Sequence, residues 1–192
     1  MAETRELIVG TAHDLFMEQG YRAVSTRQIA EVCGLTQPAL YHHFANKQEL
    51  YVEVLRTVLK RTEAALKQIA DTCTRTWDRL FETARYLLAS QPENSIQMFY
   101  DMQKELDPAA KQELDAEWRR TFLDPIAAMF AEGVRHGELR AVTDARNAAY
   151  LFLNMLPKFP DSGLSEPERA KQQAKLIVDV LLFGLAESRG AI

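Results

Sequence analysis

Apolar residues recur every three or four positions along most of the chain, which is the spacing of one face of a helix. Segments that strongly alternate between apolar and polar residues, as a half-buried strand would, are absent. The pattern therefore predicts an all-α protein. Besides two short helices within residues 24–47, the predicted helices are 4–19, 49–70, 77–90, 95–105, 108–136, 144–156 and 165–187.

Two of the predicted helices are notable for their length. At about 1.5 Å rise per residue, the helix at 49–70 covers about 30 Å, so it is long enough to belong to two parts of the protein. The pattern at 108–136 contains Pro125, which lacks a backbone N–H. We expect the proline either to kink this helix or to restart it with Asp124 as the N-cap.

Residues 24–47 (VSTRQIAEVCGLTQPALYHHFANK) contain two short helical patterns separated by Gly34. Ser25 is placed to cap the first helix, and Thr36 is placed to cap the second. Pro38 is tolerated in the first turn of the second helix because its missing N–H is not needed there. Two helices on either side of a glycine-containing turn predict a helix-turn-helix.

The apolar residues of this motif are expected to form a core. Ile29, Leu40 and Phe44 are spaced to face inward. A motif of this size cannot bury enough apolar surface alone. The helix at 4–19 and the start of the helix at 49–70 should therefore complete a three-helix core with it.

The stretch resembles the DNA-binding motif of the TetR family of transcriptional regulators. The resemblance rests on IAEVCGLT for the first helix and the turn, on ALYHHF for the recognition helix, and on NKQEL at the start of the next helix. It covers roughly the first fifty residues, and beyond them only the length and the helical layout are alike. It implies an N-terminal three-helix DNA-binding domain at residues 1–48 and a larger helical ligand-binding and dimerisation domain at residues 49–192.

The N-terminal turn of a recognition helix enters the major groove, which is about 12 Å wide. This places Gln37, Pro38 and Ala39 nearest the base edges. Gln37 is able to form a bidentate pair with adenine, and Ala39 is able to touch a thymine methyl group. Pro38 has no side-chain donor or acceptor and acts only by shape, at a position where members of the family often have glycine.

A second set of residues is expected to bind the phosphate backbone. By the resemblance, side chains with hydrogen-bond donors occupy the backbone-contacting positions of the family. They are Arg27, Thr36, Tyr41, His42 and Lys47, and Ser25 completes the predicted DNA contacts. The alternative for each of them is an ordinary solvated surface side chain.

The charge of the whole chain differs from the charge of the motif. The chain carries a formal charge of −4 with a pI of about 5.6, which argues against a general polyanion binder. Within residues 21–47, however, Glu31 is the only acid. Any positive charge that meets DNA is therefore expected to be local.

Other classes of function lack their sequence signals. Cys33 and Cys73 are far apart and match no metal-binding spacing, so we expect two reduced thiols and no cofactor. The four histidines form no HxxxH or HExxH pair, and the sequence has neither a nucleophile elbow nor a glycine-rich phosphate loop, so we expect no enzyme. The N-terminus is charged and the longest apolar stretches are too short to span a bilayer, so we expect a soluble cytoplasmic protein.

Large aromatic and methionine side chains are frequent in the C-terminal two thirds of the chain. Two interpretations are open: most of them form an ordinary core, or some of them line a cavity for a small apolar molecule. The family resemblance favours the cavity. Its expected lining residues are Trp77, Phe81, Met98, Met102, Phe122 and Tyr150, with Asn154 as a polar anchor.

Residues 145–156 and 172–186 are apolar over more than one helical face, which indicates burial on two sides. Members of the family pair through their last two helices, so the resemblance implies a four-helix dimer interface here. Its expected contacts are the small residues Ala148 and Gly184 and the apolar residues Leu151, Leu176, Val180 and Phe183. A monomeric core would produce the same pattern.

The predicted function is that of a ligand-responsive transcriptional repressor, which binds palindromic operator DNA as a homodimer and is released by a small hydrophobic or aromatic inducer. One alternative is a DNA-bound helical dimer that acts through a protein partner, as nucleoid-associated division regulators of similar fold do. An exposed apolar patch away from the dimer interface would favour that alternative. A second alternative, a transcriptional activator of the same fold, has the same sequence features.

Overall fold

The computed structural model describes residues 2–90, 104–141, 144–156 and 166–184. All regular elements within these ranges are helical, as the apolar spacing predicts. They are α1 (Ala2–Gln19), α2 (Thr26–Val32), α3 (Gln37–Tyr41), α4 (Lys47–Thr72), α5 (Thr76–Ser90), α6 (Pro108–Trp118), a π-helical turn (Arg119–Leu123), α7 (Asp124–Arg135), α8 (Ala145–Asn154) and α9 (Glu166–Phe183). No helix in the described part of the chain combines the length and the apolar character needed to cross a membrane.

The chain divides into two compact units. The first comprises Met1–Arg61 and Gln91–Trp118, and the second comprises Thr62–Ser90 and Arg119–Ile192. The predicted domain boundary at residue 48 lies within the first turn of α4, and a division there stays a prediction.

The core of the first unit is built by α1, α2, α3 and the first half of α4. Ile29, Leu40 and Phe44 are at most 1% exposed, as their spacing predicts. Phe16 of α1 meets Tyr51 of α4 edge to face, with 5.1 Å between the ring centroids. The prediction that α1 and the start of α4 complete the core of the motif is confirmed.

The turn between α2 and α3 depends on one glycine and two N-caps. Gly34 has a φ of 69°, a left-handed conformation in which a side chain would be strained. Ser25 Oγ accepts a hydrogen bond from the Gln28 N–H at 3.0 Å, and Thr36 Oγ1 accepts one from the Ala39 N–H at 3.3 Å. Both predicted N-caps are confirmed, and they set where α2 and α3 begin.

Residues 104–118 belong to the first unit and contact its N-terminal part through polar side chains. Gln48 Nε2 donates to Asp107 Oδ2 at 2.5 Å, and Gln48 Oε1 accepts from the Asp107 N–H at 3.3 Å. The ion pairs are Arg22–Glu105 at 2.7 Å, Arg56–Glu113 at 2.9 Å and Arg56–Glu117 at 3.0 Å. These bonds, which we call the 104–118 contacts, join a distant segment of the chain to the helix-turn-helix unit.

The second unit packs α5 against α9 and α7 against α8. Leu80, Ile126 and Val178 are completely buried in its core. Phe130 of α7 and Phe152 of α8 meet edge to face, with 6.2 Å between the ring centroids. This unit therefore has an apolar core of its own.

At Pro125 the chain remains helical by widening one turn. α6 ends at Trp118, and α7 begins at Asp124 after the π-helical turn. Leu123, the residue before α7, has helical dihedral angles and makes no side-chain cap bond. The predicted restart with Asp124 as N-cap is therefore wrong. Proline cannot donate a helical hydrogen bond, and the wider turn accommodates the missing donor without ending the helix.

α9 ends earlier than the apolar pattern predicts. Its last residue is Phe183, and Gly184 follows with a φ of 78°. The Gly184 N–H donates to the Val180 carbonyl at 2.9 Å, which is the hydrogen bond of a glycine C-cap. The prediction that the helix continues through Gly184 is therefore wrong, because this glycine takes a left-handed backbone conformation. Its contact at the dimer interface stays a prediction.

Candidate nucleic-acid interface

The first turn of α3 carries the three residues that are predicted to face base edges. Thr36 caps this five-residue helix, so Gln37, Pro38 and Ala39 follow directly. Pro38 is exposed, whereas Gln37 and Ala39 are half-buried. His42, directly after α3, is also exposed. The helix can therefore present the amide of Gln37, the apolar ring of Pro38 and the methyl group of Ala39 to a ligand.

The amide of Gln37 bonds to Thr26, which is not among the DNA contacts that the sequence predicts. Gln37 Nε2 donates to Thr26 Oγ1 at 3.0 Å, and the same oxygen lies 3.1 Å from the hydroxyl of Tyr41. Thr26 is the first residue of α2 and is only 7% exposed. The Nε2 group carries a second N–H, so Gln37 can keep this bond and still form a bidentate pair with adenine.

The start of α4 forms a capped helix N-terminus. Asn46 Oδ1 accepts from the Glu49 N–H at 2.8 Å, and Glu49 Oε2 accepts from the Ala45 N–H at 2.6 Å. Lys47 Nζ lies 4.1 Å from the centroid of the Tyr21 ring. This contact places a positive charge beside the positive end of the helix dipole, where an anion is favoured.

Arg27 lies on the exposed side of α2. Its Nε donates to Glu31 Oε1 at 2.9 Å, one helical turn along, and the two side chains are 77% and 63% exposed. An ion pair this exposed contributes little to stability. A phosphate could therefore replace Glu31 as the partner of Arg27 at small cost.

An ion pair joins α1 to α4, the two helices that complete the core of the motif. Arg5 Nη1 donates to Glu53 Oε1 at 3.1 Å, and the Arg5 guanidinium lies 4.8 Å from the centroid of the Phe44 ring. The hydrogen bond from Arg5 holds the pKa of the Glu53 carboxyl below its usual range, against the opposing effect of burial. The pair therefore favours a charged Glu53 and ties α1 to α4.

Two of the predicted ligand-binding residues contact each other in the second unit. The rings of Trp77 and Phe81 are stacked, with centroids 4.9 Å apart and an interplanar angle of 11°. Trp77 Nε1 donates to Asp179 Oδ1 of α9 at 2.8 Å. Hydrogen bonds from Lys175 and then Trp77 lower the pKa of the Asp179 carboxyl. The sequence offers no signal for this partner, since Trp77 and Asp179 lie on helices that are distant along the chain.

The other predicted ligand-binding residues are placed differently. Phe122 is half-buried in the π-helical turn. Tyr150 and Asn154 are exposed on α8, and Asn154 Nδ2 donates to the Tyr150 carbonyl at 2.8 Å. The Asn154 amide is thus engaged with its own helix. Met98 and Met102 lie outside the described residues.

Apolar side chains are exposed on α8 and α9, where the dimer interface is predicted. Leu151 is 57% exposed, Leu176 is 53% exposed and Phe183 is 73% exposed. Ala148 and Val180 are half-buried. Leu151, Leu176 and Phe183 thus each leave more than half of their apolar surface in water.

Comparison with known proteins assigns the N-terminal region to a family. Residues 8–54 match the family model for bacterial regulatory proteins of the tetR family. The matched range includes α2, α3 and the parts of α1 and α4 that bury them. Among curated relatives, the HTH-type transcriptional repressor KstR2 of Mycolicibacterium smegmatis is 25% identical over 98% of this chain and 94% of its own length.

Solved structures share the fold along nearly the whole chain. PfmR, a TetR family transcriptional regulator from Thermus thermophilus, is 28% identical, with a TM-score of 0.75 over 94% of this chain and 99% of its own. AibR, crystallised in complex with isovaleryl coenzyme A and operator DNA, is 22% identical, with a TM-score of 0.71 over 94% of this chain and 98% of its own. The similarity therefore extends beyond residues 8–54 to the C-terminal helices.

Proposed function

Because this chain belongs to the TetR family of transcriptional regulators, we propose that it is a ligand-responsive repressor. It binds palindromic operator DNA as a homodimer and leaves the operator when a small hydrophobic or aromatic molecule binds. The observation that carries the proposal is the geometry of α3, which is capped by Thr36, rests on a buried core and carries Gln37, Pro38 and Ala39 in its first turn. The similarity to the repressor KstR2 along nearly the whole chain supports it.

In this proposal α3 lies in the major groove and its surroundings bind the backbone. The phosphate contacts are the residues with exposed or half-exposed donors around α3, namely Ser25, Arg27, Thr36, Tyr41, His42 and Lys47. Ser25 and Thr36 use an oxygen lone pair for their caps, so each hydroxyl hydrogen is still available to a phosphate. Capping and phosphate binding are therefore compatible in the same side chain.

The exposed apolar residues of α8 and α9 support the homodimer. A second copy of the chain would cover Leu151, Leu176 and Phe183 and so remove a large apolar area from water. A two-fold axis through this interface would present two copies of α3 to the two half-sites of a palindrome. Dimerisation would thus account for the exposed apolar residues and for the proposed binding to a symmetric operator.

The second unit is the proposed site of the inducer. Trp77 and Phe81 provide stacked aromatic faces, and Phe122 is a further half-buried ring. Aromatic side chains with few polar groups favour a hydrophobic or aromatic ligand. AibR, which shares the fold, binds both isovaleryl coenzyme A and operator DNA, so this fold is compatible with both kinds of ligand.

Within the described residues, the chain passes from one unit to the other inside α4 and again after Trp118, and both connections can carry the response. Residues 47–61 of α4 belong to the first unit and its residues 62–72 to the second. The π-helical turn follows directly after Trp118, the last residue of the first unit. A ligand shifts the equilibrium between two shapes only by its differential affinity, about 1.4 kcal/mol for each factor of ten. The inducer must therefore bind the DNA-released shape much more tightly.

The test is binding of the purified protein to a labelled duplex from immediately upstream of its own gene, in excess random-sequence DNA. A panel of hydrophobic and aromatic compounds, including acyl coenzyme A thioesters, is added to the complex afterwards. We expect a specific complex that at least one compound dissociates. A parallel selection from a random duplex library covers the case in which the operator lies elsewhere.

The outcomes separate the parts of the proposal. Failure to enrich any sequence from the library would contradict specific DNA binding altogether. A specific complex that no compound disturbs would contradict ligand release and favour a protein partner instead. An enriched sequence without two-fold symmetry would contradict the homodimer on a palindrome.

A further inference from the structure

We propose that Tyr21 is a positioning residue for DNA binding, because its ring holds the ammonium group of Lys47 at the start of α4. The inference rests on the proposed function, in which Lys47 binds a phosphate of the DNA backbone. It adds a residue that acts through Lys47 and contributes equally to the binding of every DNA sequence.

The contact joins a cation to the face of an aromatic ring. Lys47 Nζ lies 4.1 Å from the centroid of the Tyr21 ring, within the distance of about 6 Å at which a ring attracts an ammonium group. Lys47 is half-buried, so its aliphatic stem has fewer positions to adopt than that of a fully solvated lysine. An ammonium group has three N–H donors, so it can contact the ring and a phosphate oxygen together.

The ring of Tyr21 is itself fixed by two buried rings. Its centroid lies 4.7 Å from that of Tyr51 and 5.6 Å from that of Phe16. Tyr51 is completely buried, and Phe16 is 1% exposed. Tyr21 follows the end of α1, where the Gly20 N–H donates to the Phe16 carbonyl at 3.0 Å. An apolar contact across the end of a helix commonly accompanies such a glycine cap. Tyr21 therefore supports Lys47 as part of the packed core.

A lysine that is held in place binds phosphate at a lower entropic cost. Lysine is among the side chains that lose the most rotamer freedom when they become ordered. The ring restricts this freedom before DNA is present, so a larger fraction of the free protein is ready to bind. A cation–π contact at an exposed site changes such a fraction by roughly 2- to 5-fold, and the apparent affinity changes by the same factor.

The experiment begins with selection of a binding sequence for the wild-type protein from a random duplex library. Affinities for the selected duplex and for a random duplex are then measured for the wild type and the variants. Tyr21→Leu, which removes the ring, should weaken binding to both duplexes by roughly 2- to 5-fold for each bound subunit. Tyr21→Phe, which keeps the ring, should bind as the wild type does. Lys47→Met, which removes the charge, should flatten the salt dependence by about one unit.

A double-mutant cycle separates positioning from general structural support. In the background of Lys47→Met, Tyr21→Leu should have no further effect on DNA binding, because the ring has no cation to hold. A purely structural residue would weaken binding by the same factor in both backgrounds. Thermal unfolding of each variant shows whether the fold is intact.

A second measurement needs no variant of Tyr21. Protons above the face of an aromatic ring resonate upfield in an NMR spectrum. The protein is labelled with ¹³C at the lysine ε-carbons, and the Lys47 signal is assigned by its absence from the Lys47→Arg protein. We expect this signal upfield of that of the exposed Lys67, both in the free protein and in the complex with the selected duplex.

Four results would overturn the inference. They are an equal effect of Tyr21→Leu in both backgrounds, a loss of affinity in Tyr21→Phe as large as that in Tyr21→Leu, a salt dependence unchanged by Lys47→Met, and a Lys47 signal at the position of Lys67 in the complex. The last of these stands even if Tyr21→Leu does not fold. A wild-type protein that enriches no sequence would contradict the proposed function itself, whereas the four results above leave DNA binding in place.

Discussion

Three hydroxyl groups make hydrogen bonds that begin α2 and α3 and join these two helices. Ser25 and Thr36 begin α2 and α3 by accepting from backbone N–H groups. Thr26 then joins the two helices by accepting from Gln37 and bonding to Tyr41. A hydroxyl is suited to these roles because it donates and accepts through the same atom. The polar residues that the sequence assigns to DNA are therefore also structural residues of the motif.

Arg27 allows a test of a phosphate contact by a single residue. Arg27→Ala should weaken binding to all DNA and flatten the salt dependence of the binding constant by about one unit, because one fewer counterion is released. Arg85→Ala is the matched control, since Arg85 is an exposed arginine of the second unit that pairs with Glu82 as Arg27 pairs with Glu31. Titrations at several salt concentrations measure both slopes. Equal slopes for the two variants would remove Arg27 from the phosphate contacts.

Among the helices, the first unit depends on polar ties between elements that are distant in sequence. Arg5 and Glu53 join α1 to α4 at 3.1 Å. The 104–118 contacts join α6 and the residues before it to the N-terminal part of the same unit. Ties of this kind orient helices that apolar packing alone would allow to slide. These ties therefore support α3 indirectly, because α3 packs against α2 and α2 packs against α1.

The tie between α1 and α4 should appear in the pH dependence of stability. The pKa of Glu53 is lowered in the folded protein, mainly by the hydrogen bond from Arg5. Its contribution is therefore complete above the usual glutamate pKa and is lost as the pH falls through the folded pKa. Glu53→Gln should cost about 1 kcal/mol at neutral pH, since the pair is partly exposed, and nothing at low pH.

The measurement is urea unfolding from about pH 7 to about pH 3 at one fixed protein concentration. Glu18→Gln, which changes an exposed carboxyl of α1, is the control and should follow the wild type. If Glu53→Gln also follows the wild type at every pH, the ion pair does not contribute to folding.

At the scale of the whole molecule, exposed apolar residues on α8 and α9 support the proposed association of two copies. Leu151, Leu176 and Phe183 are the exposed apolar residues at which the sequence predicts contacts between subunits. Large exposed apolar side chains favour association over a monomer in water. The proposed repressor depends on this association, because a palindrome is bound by two copies of α3.

Leu176 and Leu7 provide a matched pair for testing the interface. Their exposed fractions are 53% and 52%, but Leu176 lies on α9 and Leu7 lies on α1. Leu176→Glu should convert a dimer into a monomer, because a charge would be buried in an apolar interface. Leu7→Glu should leave the dimer intact. Sedimentation equilibrium measures the mass of each variant, and a Leu176→Glu protein that remains dimeric would place the interface elsewhere.

The helical class, the position of the turn and the starts of α2 and α3 could all be predicted from the amino-acid sequence. These features depend on neighbours within one or two turns: the caps at Ser25 and Thr36, the left-handed glycine at Gly34, and the inward spacing of Leu40 and Phe44. Such local preferences are readable from a short stretch of chain. The prediction failed at Gly184, where two local signals compete. The apolar pattern continues through this residue, but its backbone is left-handed and the helix ends before it.

Contacts between distant side chains became known only from the packed helices. The bond from Trp77 to Asp179 and the 104–118 contacts join residues that are tens of positions apart, and no periodicity relates them. The same holds for the bond between Thr26 and Gln37, which crosses from α2 to α3. A side chain's partner depends on how helices pack, and packing is set by the sum of many apolar contacts across the chain.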